Sequence, residues 1–354
     1  MESLLDFVYP ELSLMNPATF TIATITTMMT IYLYFIQPSM LIQVYFRVAV
    51  RWSGMKMKYT KPLSDGFTFF YGEKGHFIKD QMSILLLHGF SADHFMWAPI
   101  VQNISSNVHV VAVDLPGHGF SSNPLKDDDI GFKGQIKRIR QFLDVVNLSS
   151  QPLHVVGVSM GGTLAGLFAA EFPQLTGLVT ITCPSMKTPV ESRLIKQHKK
   201  IILEEHGGQL TLDNCPMLPQ TAEKLQTMLN ISHYYSVKYP LQILKGAVEL
   251  RKKKNYLFLP LVNLLISEES SEMLEKNVHK ILAPTQIIWG QEDWIMDVSG
   301  VDVLKDKLPN CKRIDILKEC GHAVNLDQPA IVANIVLDFW KQHQSLRENN
   351  TSFT

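Results

Sequence analysis

The sequence Gly-Val-Ser-Met-Gly at positions 157–161 follows a short apolar run and has the pattern G-x-S-x-G. This pattern is typical of a sharp turn between a strand and a helix that lifts the central serine off the sheet. Glycines are needed beside that serine because larger side chains would collide with the neighbouring backbone. The pattern therefore predicts that Ser159 is a nucleophile, with the backbone N–H of Met160 at the start of the next helix.

A serine hydroxyl needs a general base, and the base needs a third group that orients it. In hydrolases with this turn, the order along the chain is serine, acid, histidine. Only His322 and His343 follow the region where the acid is expected, and His343 lies in a polar segment typical of a solvated helix face. His322 lies in a loop directly after a strand-like stretch, which predicts that it is the base.

The acid is expected just past the carboxyl end of a strand, because ligands of open α/β sheets bind at that edge. The apolar run Thr285–Trp289 is followed by Gly-Gln-Glu-Asp, and the aspartate of that run, Asp293, is the predicted acid. Glu292 and Asp297 are the alternatives. Asp297 is better placed to cap the following helix, since aspartate is a common N-cap residue.

Two backbone N–H groups are needed to stabilise the oxyanion that forms when an ester carbonyl is attacked. Met160, the residue after the serine, is expected to supply one of them. Phe90 is expected to supply the other, because it follows His88 and Gly89 at the end of the apolar run Ile84–Leu87. This chemistry requires neither a metal nor an organic cofactor, so none is predicted.

The segments around these residues alternate between strand-like and helix-like patterns. Such alternation in 61–184 and again in 281–345 predicts a mostly parallel sheet with helices on both faces, which is the α/β-hydrolase fold. Residues 185–280, called the lid segment below, contain helix-like patterns without a convincing strand and predict a helical lid over the serine. Its basic run 251–254 adjoins the apolar run 256–262, where a solvated turn beside a core segment is favoured slightly over a membrane-contacting surface.

The first 60 residues predict a membrane anchor followed by a linker. No residue from Leu12 to Phe46 is charged, and Pro17–Ile36 would span ~30 Å as a helix, about the hydrocarbon thickness of a bilayer. A cleaved signal peptide is disfavoured, because it would have a basic start and a shorter apolar run. A helix lying in the membrane interface is the remaining alternative, since the threonines of the segment lower its hydrophobicity.

Charges on either side of the anchor predict its orientation. The charged residues before it are acidic (Glu2, Asp6 and Glu11), whereas Lys and Arg occur only after it, from Arg47 onwards. The positive-inside rule then places the catalytic domain on the cytosolic side. The 4 cysteines have no spacing typical of a metal site or a disulfide framework, and cytosolic thiols stay reduced.

Composition limits the remaining possibilities. The chain has 33 basic and 33 acidic residues, and this balance gives no reason to expect a nucleic-acid partner. Its 354 residues suffice for one large α/β domain with an insertion, and 346–354 read as a polar tail. The loop 114–119 contains a proline and two glycines and is interpreted as a structural turn, with His118 having no catalytic role.

These motifs resemble the membrane-anchored monoacylglycerol lipases of the α/β-hydrolase-domain group. The resemblance extends along nearly the whole chain and includes the uncharged N-terminal segment, Pro-Thr-Gln-Ile-Ile-Trp-Gly at 284–290 and Asp-Val-Ser-Gly at 297–300. It implies a nucleophile at Ser159, an acid at Asp293 and a base at His322. It also implies hydrolysis of monoacylglycerols such as 2-arachidonoylglycerol, of lysophospholipids and of bis(monoacylglycero)phosphate, by a cytosol-facing domain that is often on late endosomal or lysosomal membranes.

The resulting hypothesis is a membrane-bound serine ester hydrolase whose lipid substrate resides in the bilayer. One alternative is a carbon–carbon bond hydrolase of the same fold, although the water-soluble substrates of such enzymes would not need an anchor. A second is a hydrolase-fold scaffold that binds membrane proteins or lipids without turnover. Dehalogenases and epoxide hydrolases are excluded, because both need a carboxylate where Ser159 stands.

Overall fold

The structure, a computed structural model, describes residues 16–204 and 208–351 of the chain. The acidic residues Glu2, Asp6 and Glu11, on which the predicted orientation partly depends, lie outside the described residues. So do positions 352–354 of the predicted polar tail.

One eight-stranded sheet organises the described residues, with the strand order β1-β2-β4-β3-β5-β6-β7-β8. In this spatial order, β4, β3, β5, β6, β7 and β8 are all parallel to one another. The strand β2 is antiparallel both to β1 and to β4. This is the mostly parallel sheet that the alternating pattern predicts. The strands are β1 Lys56–Tyr59, β2 Phe70–Lys74, β3 Ile84–Leu87, β4 Val110–Val113, β5 Leu153–Val158, β6 Thr176–Thr182, β7 Thr285–Gly290 and β8 Cys311–Leu317.

Helices cover the sheet, and two further helices precede it. The helices are α1 Pro17–Phe35, α2 Pro38–Trp52, α3 Ala98–Val101, α4 Phe132–Val145, α5 Met160–Glu171, α6 Arg193–Glu204, α7 Ala222–Ser232, α8 Leu241–Lys252, α9 Asn255–Leu265, α10 Glu268–Asn277, α11 Gly300–Lys307, α12 Val324–Asp327 and α13 Pro329–Thr351. The central strands β3, β4 and β5 are buried at every residue, as expected for parallel strands covered on both faces.

The first strands differ from the sequence prediction. The pattern predicts a strand at 66–71, but β2 begins only at Phe70. Residues 63–67 form a turn instead, in which Gly66 has φ 81° and its N–H donates to the carbonyl of Leu63. The strand β1 is not predicted from the sequence. It is an edge strand of only four residues, Lys-Met-Lys-Tyr, and all of them are exposed.

The lid segment is helical in the structure. The sequence predicts helices near 192–205, 221–230 and 241–250, and α6, α7 and α8 lie there with small shifts in their ends, residue 205 itself being outside the described residues. Two more helices, α9 and α10, were not predicted. α9 contains Pro260 in its interior, which disfavours a helical interpretation of an apolar run.

The apolar helix α1 has 19 residues, and among the described residues it is the one helix long and apolar enough to cross a bilayer. None of its side chains is buried in the protein. Its threonines are compatible with hydrocarbon, because several of their hydroxyls donate to carbonyls four residues earlier and so satisfy their own polarity. These bonds join Thr21 to Pro17, Thr24 to Phe20 and Thr30 to Thr26, each at 2.9 Å. The helix supports the predicted membrane anchor.

Candidate active site

The predicted nucleophile lies in a strained turn between β5 and α5. Ser159 has φ 56° and ψ −124°, and residues 153–160 are all buried apart from Ser159. An added Cβ at Gly157 would lie 1.9 Å from the carbonyl oxygen of Gly161, and one at Gly161 would lie 2.1 Å from that of Leu87. The two glycines therefore permit the close approach that presents the serine side chain.

A left-handed conformation at a non-glycine residue costs free energy and persists only where the surroundings hold it. Three backbone hydrogen bonds hold Ser159. Its N–H donates to the carbonyl of Thr182 at 2.9 Å, and its carbonyl accepts from the N–H groups of Thr163 and Ser185 at 3.1 Å each. The turn is thereby tied to the helix that follows it and to the end of β6.

The predicted base and acid are in contact. His322 Nδ1 lies 2.7 Å from Asp293 Oδ2, and the exposed fractions of the two side chains are 11% and 0%. The other carboxylate oxygen, Asp293 Oδ1, accepts from the N–H groups of Ile295 and Met296 at 2.8 and 2.9 Å. A carboxylate fixed in this way favours the tautomer with a proton on Nδ1, which leaves Nε2 free to accept a proton from a nucleophile.

Ser159 and the His322–Asp293 pair lie at the same edge of the sheet. Atoms of Cys183, Asp293 and His322 all lie within 4.8 Å of one another, and Cys183 follows Thr182, the backbone partner of Ser159. Within 16–204 and 208–351, no hydrogen bond joins Ser159 Oγ to His322. Catalytic hydrogen bonds commonly tighten only when substrate is bound. The predicted catalytic roles of Ser159 and His322 therefore do not require this bond in the free protein.

The alternative acids and the alternative base have other partners. Glu292 Oε2 accepts from the N–H of Cys320 at 3.1 Å, so it holds the loop that precedes His322. Asp297 Oδ1 accepts from the N–H of Ser299 at 2.9 Å, just before α11. His343 Nδ1 bonds to the carbonyl of its own helix at Phe339, 2.9 Å away.

Asp327, which the sequence does not single out, holds the His322 loop from the other side. Its Oδ2 accepts from the N–H of Gly321 at 2.8 Å and from that of Tyr234 at 3.0 Å, and its Oδ1 pairs with Nδ1 of His233 at 2.9 Å. Burial acts to raise the pKa of Asp327, but these hydrogen bonds outweigh it and lower that pKa below its usual value. No strand ends just before Asp327, so the expectation of an acid past the carboxyl end of a strand, which predicts Asp293, does not point to Asp327.

The loop that carries Phe90 lies against the nucleophile. An added Cβ at Gly89 would be 3.3 Å from Ser159 Cβ and 3.8 Å from its Oγ. The buried ring of His88 fixes this loop, because Nε2 accepts from the N–H of Leu115 at 2.9 Å and Nδ1 bonds to the carbonyl of Gly89 at 2.8 Å. Burial lowers the pKa of His88 to about 4, so the ring is neutral at pH 7 and its Nδ1 is the donor.

The loop 114–119 is held in place by buried hydrogen bonds and ring contacts. Asp114 is fully buried, and its carboxylate accepts from the N–H groups of His94 and Phe120 at 2.7 and 2.9 Å. His118 is also buried, and its ring lies 4.9 Å from that of Phe258 in the lid segment. Burial holds the pKa of His118 well below its usual value.

The basic run 251–254 is divided between two environments. Lys252 and Lys253 are exposed, whereas Arg251 Nη2 donates to Ser91 Oγ at 2.7 Å and to the carbonyl of Met217 at 3.1 Å. Burial lowers the pKa of Arg251 to about 10. The sequence gives no sign of this contact, because Arg251 and Ser91 lie 160 positions apart in the chain.

Two groups of side chains among the described residues have donor atoms close enough to consider a metal. One is Cys183, Asp293 and His322, where burial raises the pKa of the Cys183 thiol well above its usual value and so disfavours the thiolate that a metal would need. The other is Asp93, His94 and Asp114, in which His94 Nδ1 already bonds to Asp114 Oδ1 at 2.8 Å. Both groups are better described as hydrogen-bond networks than as metal sites.

Comparisons with known proteins agree with this architecture. The profile of the family described as "Alpha/beta hydrolase family" matches residues 84–335. The chain is 37% identical to monoacylglycerol lipase ABHD6 of Homo sapiens over 309 residues, which cover 86% of this chain and 88% of the human protein. It is 38% identical to monoacylglycerol lipase abhd6-B of Xenopus laevis over 314 residues, covering 88% and 90% of the two chains.

Among solved structures, a bacterial membrane phospholipase A matches with a TM-score of 0.75 at 24% sequence identity, over 92% of this chain and 99% of the other. At this level of identity the likeness shows the fold alone. The segment matched by the family profile includes Ser159, Asp293 and His322.

Proposed function

The chain belongs to the α/β-hydrolase family and to its monoacylglycerol lipases, and we propose that it hydrolyses monoacylglycerols in the bilayer with Ser159 as nucleophile. The observation that carries this proposal is the buried contact between His322 Nδ1 and Asp293 Oδ2 at the sheet edge where the turn presents Ser159. It supports a base that is already oriented for a serine nucleophile.

In the proposed reaction, Ser159 Oγ attacks the ester carbonyl carbon while its proton passes to His322 Nε2. The tetrahedral intermediate collapses with cleavage of the bond to the alcohol oxygen, and the imidazolium returns the proton to that oxygen. Water then attacks the acyl-enzyme by the same proton path and releases the fatty acid. Asp293 stabilises the imidazolium through its contact with Nδ1 and keeps its own charge throughout.

The negative oxygen of the intermediate is stabilised by the N–H groups of Phe90 and Met160 in this proposal. Its support is the position of Met160 at the first turn of α5, where backbone N–H groups and the helix dipole favour negative charge. The close approach of Gly89 to Ser159 brings the Phe90 loop to the same place. Loss of one such donor typically costs about 3 kcal/mol of transition-state stabilisation.

The location of the substrate follows from the anchor. Monoacylglycerols reside in membranes, and α1 would hold the catalytic domain at the surface from which they enter the site. Lysophospholipids and bis(monoacylglycero)phosphate are further candidate substrates, supported by the resemblance of the motifs.

We further propose that the domain faces the cytosol and acts on late endosomal or lysosomal membranes. The orientation is supported by Arg47 and Arg51, which lie shortly after α1 and are both exposed, whereas no described residue from 16 to 46 is charged. The organelle is supported by the resemblance alone.

The experiment that tests the substrate class is the release of fatty acid from a matched panel presented in vesicles. We expect the full-length protein to cleave monoacylglycerols faster than diacylglycerols, triacylglycerols or diacyl phospholipids of the same acyl chain, and Ser159→Ala to cleave none above background. Equal rates for wild type and Ser159→Ala would reject the proposed nucleophile. A wild type that cleaves only water-soluble diketones would favour the carbon–carbon hydrolase instead.

A further inference from the structure

The helix α2 follows the predicted anchor and packs its inner face on the catalytic domain. Ile42 and Val50 on this face are buried, and the ring of Phe46 stacks on that of Phe95 at 5.2 Å. The start of α2 also lies directly on the lid helix α8, since an added Cβ at Gly246 would be 2.5 Å from the carbonyl carbon of Pro38. The inner face therefore fixes how α2 is oriented relative to the domain.

The opposite face of α2 carries an apolar stripe that is exposed along its length. Met40, Val44, Val48 and Trp52 follow one another at intervals of four, which places them along one side of a helix. Their exposed fractions are 52%, 41%, 41% and 82%. We call these four residues the outer stripe.

Basic side chains accompany the outer stripe. Arg47 and Arg51 each precede a stripe residue by one position on the helix, so the two residues lie at one edge of the stripe, and both are exposed. Tyr45, 66% exposed, lies on the other edge. An apolar face bordered by arginine and aromatic residues is the composition of helices that lie in a membrane interface, where long basic side chains reach the headgroups.

The outer stripe is continuous with the part of the chain that would cross the bilayer. α1 ends at Phe35, and α2 begins at Pro38 after the non-helical residue Gln37, which has φ −130° and ψ 56°. The start of α2 must therefore lie at the level where α1 leaves the hydrocarbon. This continuity identifies the bilayer, rather than a soluble protein, as the surface nearest to the stripe.

We propose that α2 is an interfacial helix that docks the catalytic domain onto the bilayer. Met40, Val44, Val48 and Trp52 enter the boundary between headgroups and acyl chains, and Arg47 and Arg51 contact lipid phosphates. The anchor alone would leave the domain free to rotate, whereas the docked α2 fixes which face of the domain meets the membrane. The proposal rests on α1 being embedded in the membrane, and it is independent of the catalytic assignments.

Tryptophan fluorescence tests the proposal on the full-length protein. Trp97, Trp289 and Trp340 are buried in the core and Trp294 packs against Arg193, so Trp52 is the most exposed of the 5 tryptophans. We would reconstitute the protein into phosphatidylcholine vesicles whose acyl chains carry bromine, a short-range quencher. Wild type is expected to lose a fraction of its fluorescence relative to unbrominated vesicles, and Trp52→Phe is expected to lose much less.

A pair of reporters in the Trp52→Phe background provides the control. Val48→Trp reports from the outer stripe, and Ile316→Trp reports from β8, at the opposite end of the sheet from β1, where the native side chain is 47% exposed. Quenching at 48 and 52 but not at 316 would support the proposal. Equal quenching at 316, or no quenching at 48 and 52 because a second copy of the chain covers the stripe, would overturn it.

Discussion

Arg251 Nη2 lies 2.7 Å from Ser91 Oγ, which joins the end of the lid helix α8 directly to the residue after Phe90. The same Nη2 also donates to the carbonyl of Met217 in the lid segment and lies 3.8 Å from Met228 Sδ in α7. The buried Nε atom has no hydrogen-bond partner among the residues that the structure describes. A single cation therefore ties the lid segment to the loop that would form half of the oxyanion hole.

Removal of this tie should impair catalysis more than it impairs folding. Hydrogen bonds to charged groups are worth roughly 1.5–3 kcal/mol, so we expect Arg251→Met to lower kcat/KM for monoacylglycerol by about tenfold or more. Arg251→Lys should recover part of the loss, since lysine keeps the charge but not the fork of donors. Lys252→Met, at an exposed neighbouring position, is the matched control and should behave as wild type. Equal activity of Arg251→Met and Lys252→Met would show that the tie is irrelevant to turnover.

Asp327 should act on catalysis through the position of His322. Asp327→Asn weakens the bond to the N–H of Gly321 and the pairing with His233. We expect kcat to fall by about tenfold while KM for monoacylglycerol changes little, because the residue holds the base and does not contact substrate. A rise in KM with unchanged kcat would contradict this positioning role.

The effect of Asp327→Asn on the free energy of unfolding should depend on pH. The pKa of Asp327 is lower in the folded protein than in the unfolded chain, where an aspartate has a pKa of about 3.9. The stabilisation by the ionised group is therefore complete above the unfolded pKa and is lost as pH falls through the folded pKa. The difference in free energy of unfolding between wild type and Asp327→Asn should be constant above about pH 5 and shrink below about pH 4. Urea unfolding in detergent micelles at several pH values would measure it, and a difference that grows on acidification would contradict the assignment.

Glycosylation reports the orientation of the domain. Asn103 and Asn147 lie in Asn-Ile-Ser and Asn-Leu-Ser sequences and are both exposed on the catalytic domain. Such sequons on an exposed surface would be accessible to glycosylation in a lumen. We expect the protein expressed in a eukaryotic cell to show no change in electrophoretic mobility on enzymatic deglycosylation. A shift that disappears in Asn103→Gln/Asn147→Gln would place the domain in the lumen and reverse the proposed orientation.

Asp293 should be indispensable to the base. Asp293→Asn keeps the size of the side chain but removes the charge that holds the Nδ1 proton of His322, and the corresponding change in a serine protease triad lowers kcat by about 10⁴-fold. We expect a loss of similar size in monoacylglycerol hydrolysis. Asp297→Asn, whose native carboxylate bonds to the N–H of Ser299, should retain most of the activity. Comparable losses in the two variants, or full activity of Asp293→Asn, would contradict the assignment of Asp293 as the acid.

Local rules explain why Ser159 and Asp293 can be predicted from the sequence. The turn around Ser159 is set by glycines within two positions of it, and Asp293 follows the carboxyl end of a buried strand that its own apolar residues reveal. Both signals lie within a few residues of the site, so neither depends on knowledge of the tertiary fold.

Contacts across the chain explain what the sequence does not reveal. Arg251 meets Ser91, and Asp327 meets Tyr234, only because the lid segment folds over the sheet edge. The strand β1 is only four residues long and buries none of them, so it lacks the longer apolar run that predicts the inner strands. The helix α2 has apolar residues both on the face that packs against the protein and on the opposite, exposed face. A single apolar face of helical period is therefore not evident in its sequence, and the segment is predicted as a linker after the anchor.

Covalent labelling of the solubilised full-length protein with a fluorophosphonate tests the central claim most directly. We predict that the label forms one adduct, that the labelled peptide contains Ser159, and that His322→Ala slows labelling by orders of magnitude while Ser159→Ala abolishes it. An adduct on a different residue, or labelling of Ser159→Ala at the rate of wild type, would contradict the assignment of this chain as a serine hydrolase that uses Ser159.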